Sequence, residues 1–248
     1  MIHRDLRKRL LGIAQEKGFS NQRIKIEMHV LKPTEAIGTP ERPDFPLLKG
    51  KEFLMQATFM GAKGQAYTDA PSEFSGALKD ILSFQCKDPR ERGLFIASLN
   101  AVMKYVHPDL GTVHCKNNEP EACAHEIRTF VHTIGVERAG LIGLQPAILE
   151  SMVTLLGADK VLCIDRDEDN LDLVKYGVPI QWGDDNGLEA ILKGSDVILA
   201  TGSSVANGSL DEILEASKKH NKPVYFYGTT IAGTAKLLGL NRLCFRSN

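Results

Sequence analysis

Twelve residues in the middle of the chain, His114-Cys115-Lys116-Asn117-Asn118-Glu119-Pro120-Glu121-Ala122-Cys123-Ala124-His125, gather two thiols and two imidazoles. These ligand types suit zinc or a softer metal ion. Pro120 and Glu121 mark a helix start, and Cys123, Ile127, Phe130 and Ile134 then fall on one apolar stripe, which turns Cys123 toward a core. His125, two positions on, projects from another face, so the segment alone is not expected to supply four ligands. Cys115 remains the candidate metal ligand, completed by residues from elsewhere. It precedes the helix amino terminus, a setting that can lower a thiol pKa.

Three further segments offer oxygen and nitrogen donors. Thr201-Gly202-Ser203-Ser204-Val205-Ala206-Asn207-Gly208 combines three hydroxyls, an amide and flexible backbone N–H groups, a set suited to a carboxylate, phosphate or other oxyanion. Gly228-Thr229-Thr230 adds two hydroxyls. Gly140-Leu141-Ile142-Gly143-Leu144-Gln145-Pro146-Ala147-Ile148 opens like a dinucleotide fingerprint, but Gln145 and Ile148 stand where the second and third glycines belong, which argues against an ordinarily bound NAD. Gly143 still permits a tight turn, Pro146 suits a first helical position, and the helix amino terminus is expected to accept an anion. Asp165 lies about twenty residues on, where an acidic side chain takes ribose hydroxyls or caps the following helix. Neither a Ser-His-Asp order nor a Gly-x-Ser-x-Gly elbow is present.

These segments need elements to hold them. Residues 4–17 read as an amphipathic helix ending at Gly18, and Arg23 to Leu31 alternates as a half-buried strand, as do Phe53 to Met60 and Gln65 to Asp69. Residues 32–51, with Pro33, Pro40, Pro43 and Pro46, form a connection long enough to be a candidate lid. Helices are predicted at Phe74 to Ser83 and Pro89 to Val106. From Arg138 onward strands alternate with helices, as in a parallel sheet of βαβ units. The strands read as Ala139–Gly143, Lys160–Asp165, Val178–Trp182, Asp196–Thr201, Pro223–Gly228 and Arg242–Phe245. The helices between them read as Pro146–Leu156, Glu168–Tyr176, Gly187–Leu192, Ser209–His220 and Ile231–Leu238. In such a sheet the ligand crevice lies beyond the carboxyl ends of the strands, where the donor-rich loops fall.

The 248 residues carry 30 basic and 31 acidic side chains in no long run of either sign, which excludes the electrostatic footprint of a nucleic-acid binder. No stretch reaches bilayer length and the amino terminus lacks the apolar core of a signal peptide. Five scattered cysteines do not make a disulfide scaffold. The expectation is a cytoplasmic protein with reduced thiols and a small-molecule or metal ligand, bound to neither nucleic acid nor membrane. A homo-oligomer stays open.

Ser98-Leu99-Asn100-Ala101, the His114 to Ala124 segment, Gly140 to Pro146 and Thr201 to Gly208 together resemble the putative heavy-metal chelation domain family along nearly the whole chain. The resemblance implies an α/β chain with a small α+β, enolase amino-terminal-like domain (1–108) followed by a Rossmann-like parallel-sheet domain (109–248). It also implies a site in the cleft between them, supplied by Asn100, Gly143, Gln145, Pro146, Thr201, Ser203 and Asn207. It implies a role in metal chelation and a transition or heavy metal ion as ligand. Enolase chemistry is not implied, because that activity needs a barrel this chain is too short to hold. Two other readings stand beside metal handling: an enzyme with a nucleotide-type cofactor such as S-adenosylmethionine, motivated by Asp165 and the Gly143 turn, and a structural partner of another protein.

Overall fold

The computed structural model describes residues 2–19, 25–50 and 52–248; Arg23 and Ile24 of the first predicted strand, and Lys51 at the end of the proline-rich connection, lie outside them. Two sheets organise the chain. The first is antiparallel, in the order β3-β2-β1-β4, from β1 (Lys25–Val30), β2 (Phe53–Phe59), β3 (Ala62–Thr68) and β4 (Phe74–Ala77). The helix predicted from Phe74 is shorter than expected. Residues 74–77 pair instead with β1, placing Phe74 opposite Met28 and Gly76 opposite Ile26, and α4 begins only at Leu78 (Leu78–Ser83). An open sheet edge with unpaired N–H and C=O groups outweighs the weak helical tendency of a segment containing glycine.

Helix α5 (Pro89–Val106) is capped by the Asp88 carboxylate, which accepts the Glu91 N–H. It lies on β2 and β3, and its other side meets elements of the second sheet. That double contact explains why Leu94 through Met103 is buried without interruption, a pattern no amphipathic stripe would give. The amino-terminal helix α1 (Ile2–Glu16) adds Leu6 and Leu10, fully buried in the same core; burying each stabilises the fold by about 1.5–3 kcal/mol.

The second sheet has the order β11-β10-β9-β5-β6-β8-β7, with β5 (Ala139–Ile142), β6 (Val161–Asp165), β7 (Val174–Lys175), β8 (Val178–Trp182), β9 (Val197–Thr201), β10 (Val224–Tyr227) and β11 (Arg242–Leu243). All pairs are parallel except β7 with β8. Without β7 the strands run 6-5-4-1-2-3, the order of a doubly wound sheet, with the reversal between β5 and β9. Its helices are α6 (Glu119–Ile134), α7 (Pro146–Leu156), α8 (Asp185–Gly194), α10 (Leu210–His220) and α11 (Ala232–Leu238). The buried stripe of α6 is Cys123, Ile127 and Val131, whereas Ile134 is exposed.

One predicted helix is absent. Residues 168–170 form a single 3-10 turn, and β7 follows where Glu168–Tyr176 was expected to be helical. Asp172 and Tyr176 hold positive φ angles of 61° and 52°, and Asn170 donates to Asp165, so local turn chemistry wins over the helical spacing. The proline-rich connection is ordered over its described residues. It contains two short turns of helix, α2 (Pro33–Ala36) and α3 (Pro46–Lys49). Arg42 is clasped by Asp44 and Glu150, Asp44 also holds Lys175, and Arg42 donates to the Tyr176 hydroxyl.

Candidate functional site

A cavity of about 710 Å³ opens at the carboxyl ends of the second sheet's strands and is roofed by the first sheet and the 32–50 connection. Ile37, Phe45 and Leu47 of that connection form part of its apolar wall. Thr201, Ser203 and Asn207 contribute from the β9 loop, Gly228, Thr229 and Thr230 from the β10 loop, and Gly143, Gln145 and Asp165 from the β5 and β6 ends. Cys115 lines the cavity as well. Four of the predicted residues take structural places instead. Pro146 starts α7 in the core. Gly202 sits where a Cβ would come within 2.8 Å of the Tyr227 carbonyl oxygen. Ser204, in the short helix α9 (Ser204–Asn207), is fully buried away from the cavity. Asn100 is wholly buried on α5, where its Nδ2 donates to the carbonyls of Gln65, Thr229 and Thr230 and its Oδ1 accepts the Gly233 N–H at 2.7 Å. Every polar atom of that amide is engaged, so Asn100 pins the β10 loop in place and is not available to a ligand.

The expected anion site at the start of α7 is closed by the protein's own oxygens. Gln145 Oε1 accepts the Ile148 N–H at 2.6 Å, Asp165 accepts the Leu144 N–H at 2.5 Å, and the Gly143 N–H reaches the Ile164 carbonyl at 2.9 Å. A pyrophosphate there would have to displace a carboxylate. Gly143 holds φ of 89°, and a side chain on it would strike Thr201, while the Tyr227 hydroxyl donates to its carbonyl at 2.7 Å. Asn207 is partly committed as well, its Oδ1 accepting from both the N–H and the hydroxyl of Ser209. Arg92, which the sequence did not single out, props this loop from α5 by donating to the carbonyls of Ala206 and Asn207.

Tyr67 and Glu52 are cavity residues that the sequence did not single out. Tyr67, on β3, is anchored by its N–H to Thr230 Oγ1 at 3.0 Å, and burial raises its phenol well above the ordinary range. His114, from the thiol–imidazole segment, lines the cavity, its N–H held by Gln65 Oε1 at 2.7 Å and its ring edge-to-face with Tyr67. Burial lowers its pKa to about 4, so the imidazole is neutral, and Nδ1 has no partner. Thr229, 1% exposed, likewise has an unpartnered hydroxyl. Cys123 and Cys244 complete the wall with Cys115. The Cys115 thiol is pushed up to about 12 by burial, opposite to the direction its place before α6 suggested, because desolvation outweighs the distant helix end. Cys244 follows the last parallel strand, so the rule that located the other loops would have found it.

Glu52, just before β2, also faces the cavity. Burial, then the charges of Asp165, Asp167 and Asp69, push its carboxyl up to about 7. Its folded pKa exceeds the free value of 4.5, so the folded state holds the proton more tightly and stability falls as pH rises from about 4.5 through about 7. Glu52→Gln should flatten this decline, a difference of up to about 3 kcal/mol by pH 8. Urea denaturation at pH 5 and pH 8 measures it, and equal slopes for both proteins would refute the assignment.

Among the described residues no group of three His, Cys, Asp or Glu side chains is placed to hold one metal ion, and no helix is long and apolar enough to cross a membrane. No curated protein matches the chain. A solved protein of unknown function from Pyrococcus horikoshii is similar at 20% identity, covering 93% of this chain and 80% of its own, with a TM-score of 0.57. Another, from Desulfitobacterium hafniense, is similar at 14% identity over 75% of this chain and 72% of its own, with a TM-score of 0.50. Both come from one family, and both likenesses concern the fold. The model of that same family, described as "Putative heavy-metal chelation", matches residues 129–239, so the resemblance carried by Gly140 to Pro146 and Thr201 to Gly208 holds over those residues.

Proposed function

We propose that the chain binds a small metal-bearing molecule in a cleft between two domains, residues 1–108 and 109–248. One observation carries this reading: a single cavity is lined by Cys115, Cys123, Cys244 and the neutral imidazole of His114 together with Thr201, Ser203 and Thr229. Its volume of about 710 Å³ is that of a small-molecule site. The donors do not converge as a complete coordination set for a bare ion. They fit a cargo that brings part of its own coordination, with sulfur donors favouring a soft metal and hydroxyl donors favouring an anionic chelator. The family description points the same way.

The test is elemental analysis of untagged protein purified from metal-supplemented cells, with mass spectrometry of the released small molecules. Stoichiometric metal with a co-purifying organic anion, both lost in Cys244→Ser, is the expected result. Metal-free protein that shows no thermal shift with transition-metal citrate complexes ends the reading. The doubly wound strand order favours one alternative, a nucleotide-type cofactor such as S-adenosylmethionine. The engagement of Asp165 by Leu144, Asp167 and Asn170 weighs against it. Saturable calorimetric binding of S-adenosylmethionine, abolished in Asp165→Ala, would restore it.

A further inference from the structure

We infer that residues 39–50 form a lid over the cavity, latched shut by a cluster of Arg42, Asp44, Glu150, Lys175 and Tyr176, so that a ligand enters when the cluster opens. The inference concerns access to the cavity and does not depend on the cargo proposed above.

The segment covers the cavity with its apolar side chains. Phe45 and Leu47, each 3% exposed, line the cavity and pack in the same core as Cys123, Ile127, Leu144 and Ile148. Thr39, Glu41, Pro43 and Leu48 are exposed, so the segment has the cavity beneath it and solvent above. Its flanks are fixed. The Leu31 N–H donates to the Leu54 carbonyl at 2.8 Å, continuing the pairing of β1 with β2. Asn117 clamps the start of the lid, its N–H donating to the Ile37 carbonyl at 2.8 Å and its Oδ1 accepting the Thr39 N–H at 3.0 Å. Gly38 and Gly50 bracket the segment with φ of 72° and 75°, left-handed positions that glycine adopts without strain and that suit hinges.

Between these hinges the ties are made by side chains. Among the described residues, no backbone group from 39 to 50 bonds to the backbone of another element. Asn118 Nδ2 donates to the Glu41 carboxylate at 3.0 Å. Asp44 is the hub of the latch, accepting from Arg42 Nε at 2.7 Å and from Lys175 Nζ at 2.5 Å. Arg42 crosses to Glu150 on α7 at 2.9 Å and donates to the Tyr176 hydroxyl beside β7. Its guanidinium also lies 5.8 Å from the centre of the Phe45 ring, which couples the latch to the cavity wall. The four charged side chains are 17–49% exposed, so dissolved salt reaches them and weakens their attraction. A segment held by such pairs opens locally, whereas one held by a sheet ladder opens only with the fold.

The experiment labels metal-free, reduced protein with N-ethylmaleimide at fixed pH and follows each cysteine by peptide mass spectrometry. Cys115 and Cys123 line the cavity beneath the lid; Cys86 and Cys163 lie buried outside it and respond to opening of the whole fold. At low ionic strength Asp44→Ala should label Cys115 and Cys123 about 10-fold faster than wild type, with Cys86 and Cys163 unchanged. Lys175→Met, which leaves Asp44 its Arg42 partner, should shift the same two thiols by a smaller factor. Raising the salt to about 1 M should bring wild type toward the Asp44→Ala rate while accelerating the variant little. Unchanged labelling of Cys115 and Cys123 in both variants, a wild type insensitive to salt, or equal acceleration at all four cysteines would overturn the inference. A cavity that takes up no metal while these rates respond as expected would overturn only the proposed cargo.

Discussion

Gly64→Ala is expected to destabilise the chain by more than about 3 kcal/mol, the upper range for forcing extra atoms into a packed interior. A Cβ at this position in β3 would lie 2.0 Å from the Ala101 nitrogen and 2.6 Å from the Ala97 carbonyl oxygen, both in the backbone of α5. Neither atom belongs to a side chain that could rotate away, so α5 would have to lift off the sheet. That movement would reach the cavity, because α5 also carries Arg92 beneath the β9 loop and Asn100 beneath the β10 loop. Chemical denaturation measures the loss. A stable Gly64→Ala protein with native near-ultraviolet dichroism would show that the helix and sheet are not in backbone contact.

Asn100 gives the second large effect, and its two substitutions should rank in a set order. Asn100→Ala strands the Gly233 N–H and removes the donor shared by three carbonyls, a cost of about 3 kcal/mol. Asn100→Asp keeps the shape but aims a carboxylate oxygen at those carbonyls in a fully buried position, so it should be the worse of the two near neutral pH. Acidification should narrow the gap between them, since the protonated acid again offers a donor. Equal destabilisation at pH 5 and pH 8 would contradict the clasp. The result also separates two roles for Asn100, because a ligand contact would affect binding with little change in folding.

The parts of the fold that local physics governs are legible in the residues. Pro89 to Val106 and Pro146 to Leu156 are bounded by their prolines and caps, so both helices run where their spacing places them. The nearly continuous apolar character of β9 and β10 likewise marks strands with two covered faces, whereas β2, whose alternation suggested one covered face, is buried without a break from Leu54 to Ala57. The loops after β9 and β10 face the cavity because parallel strands point all their carboxyl ends one way.

Tertiary structure decided the rest. Residues 74–77 became a strand because β1 offered an open edge, and residues 168–176 lost their helix to turns anchored on Asp165. Asn100 and Asp165 carry the right chemistry for a ligand, but neighbours distant in sequence consume much of it, and Gln145 spends its side-chain oxygen capping its own helix. Glu52 and Tyr67 show no local signal, since each matters only through the burial and charge that other segments bring to it. Spacing along the chain determines which residues share a face. Which donors remain unsatisfied depends on contacts such as those of Asn100 with residues 129 to 133 positions away, and those contacts exist only once the two sheets have packed.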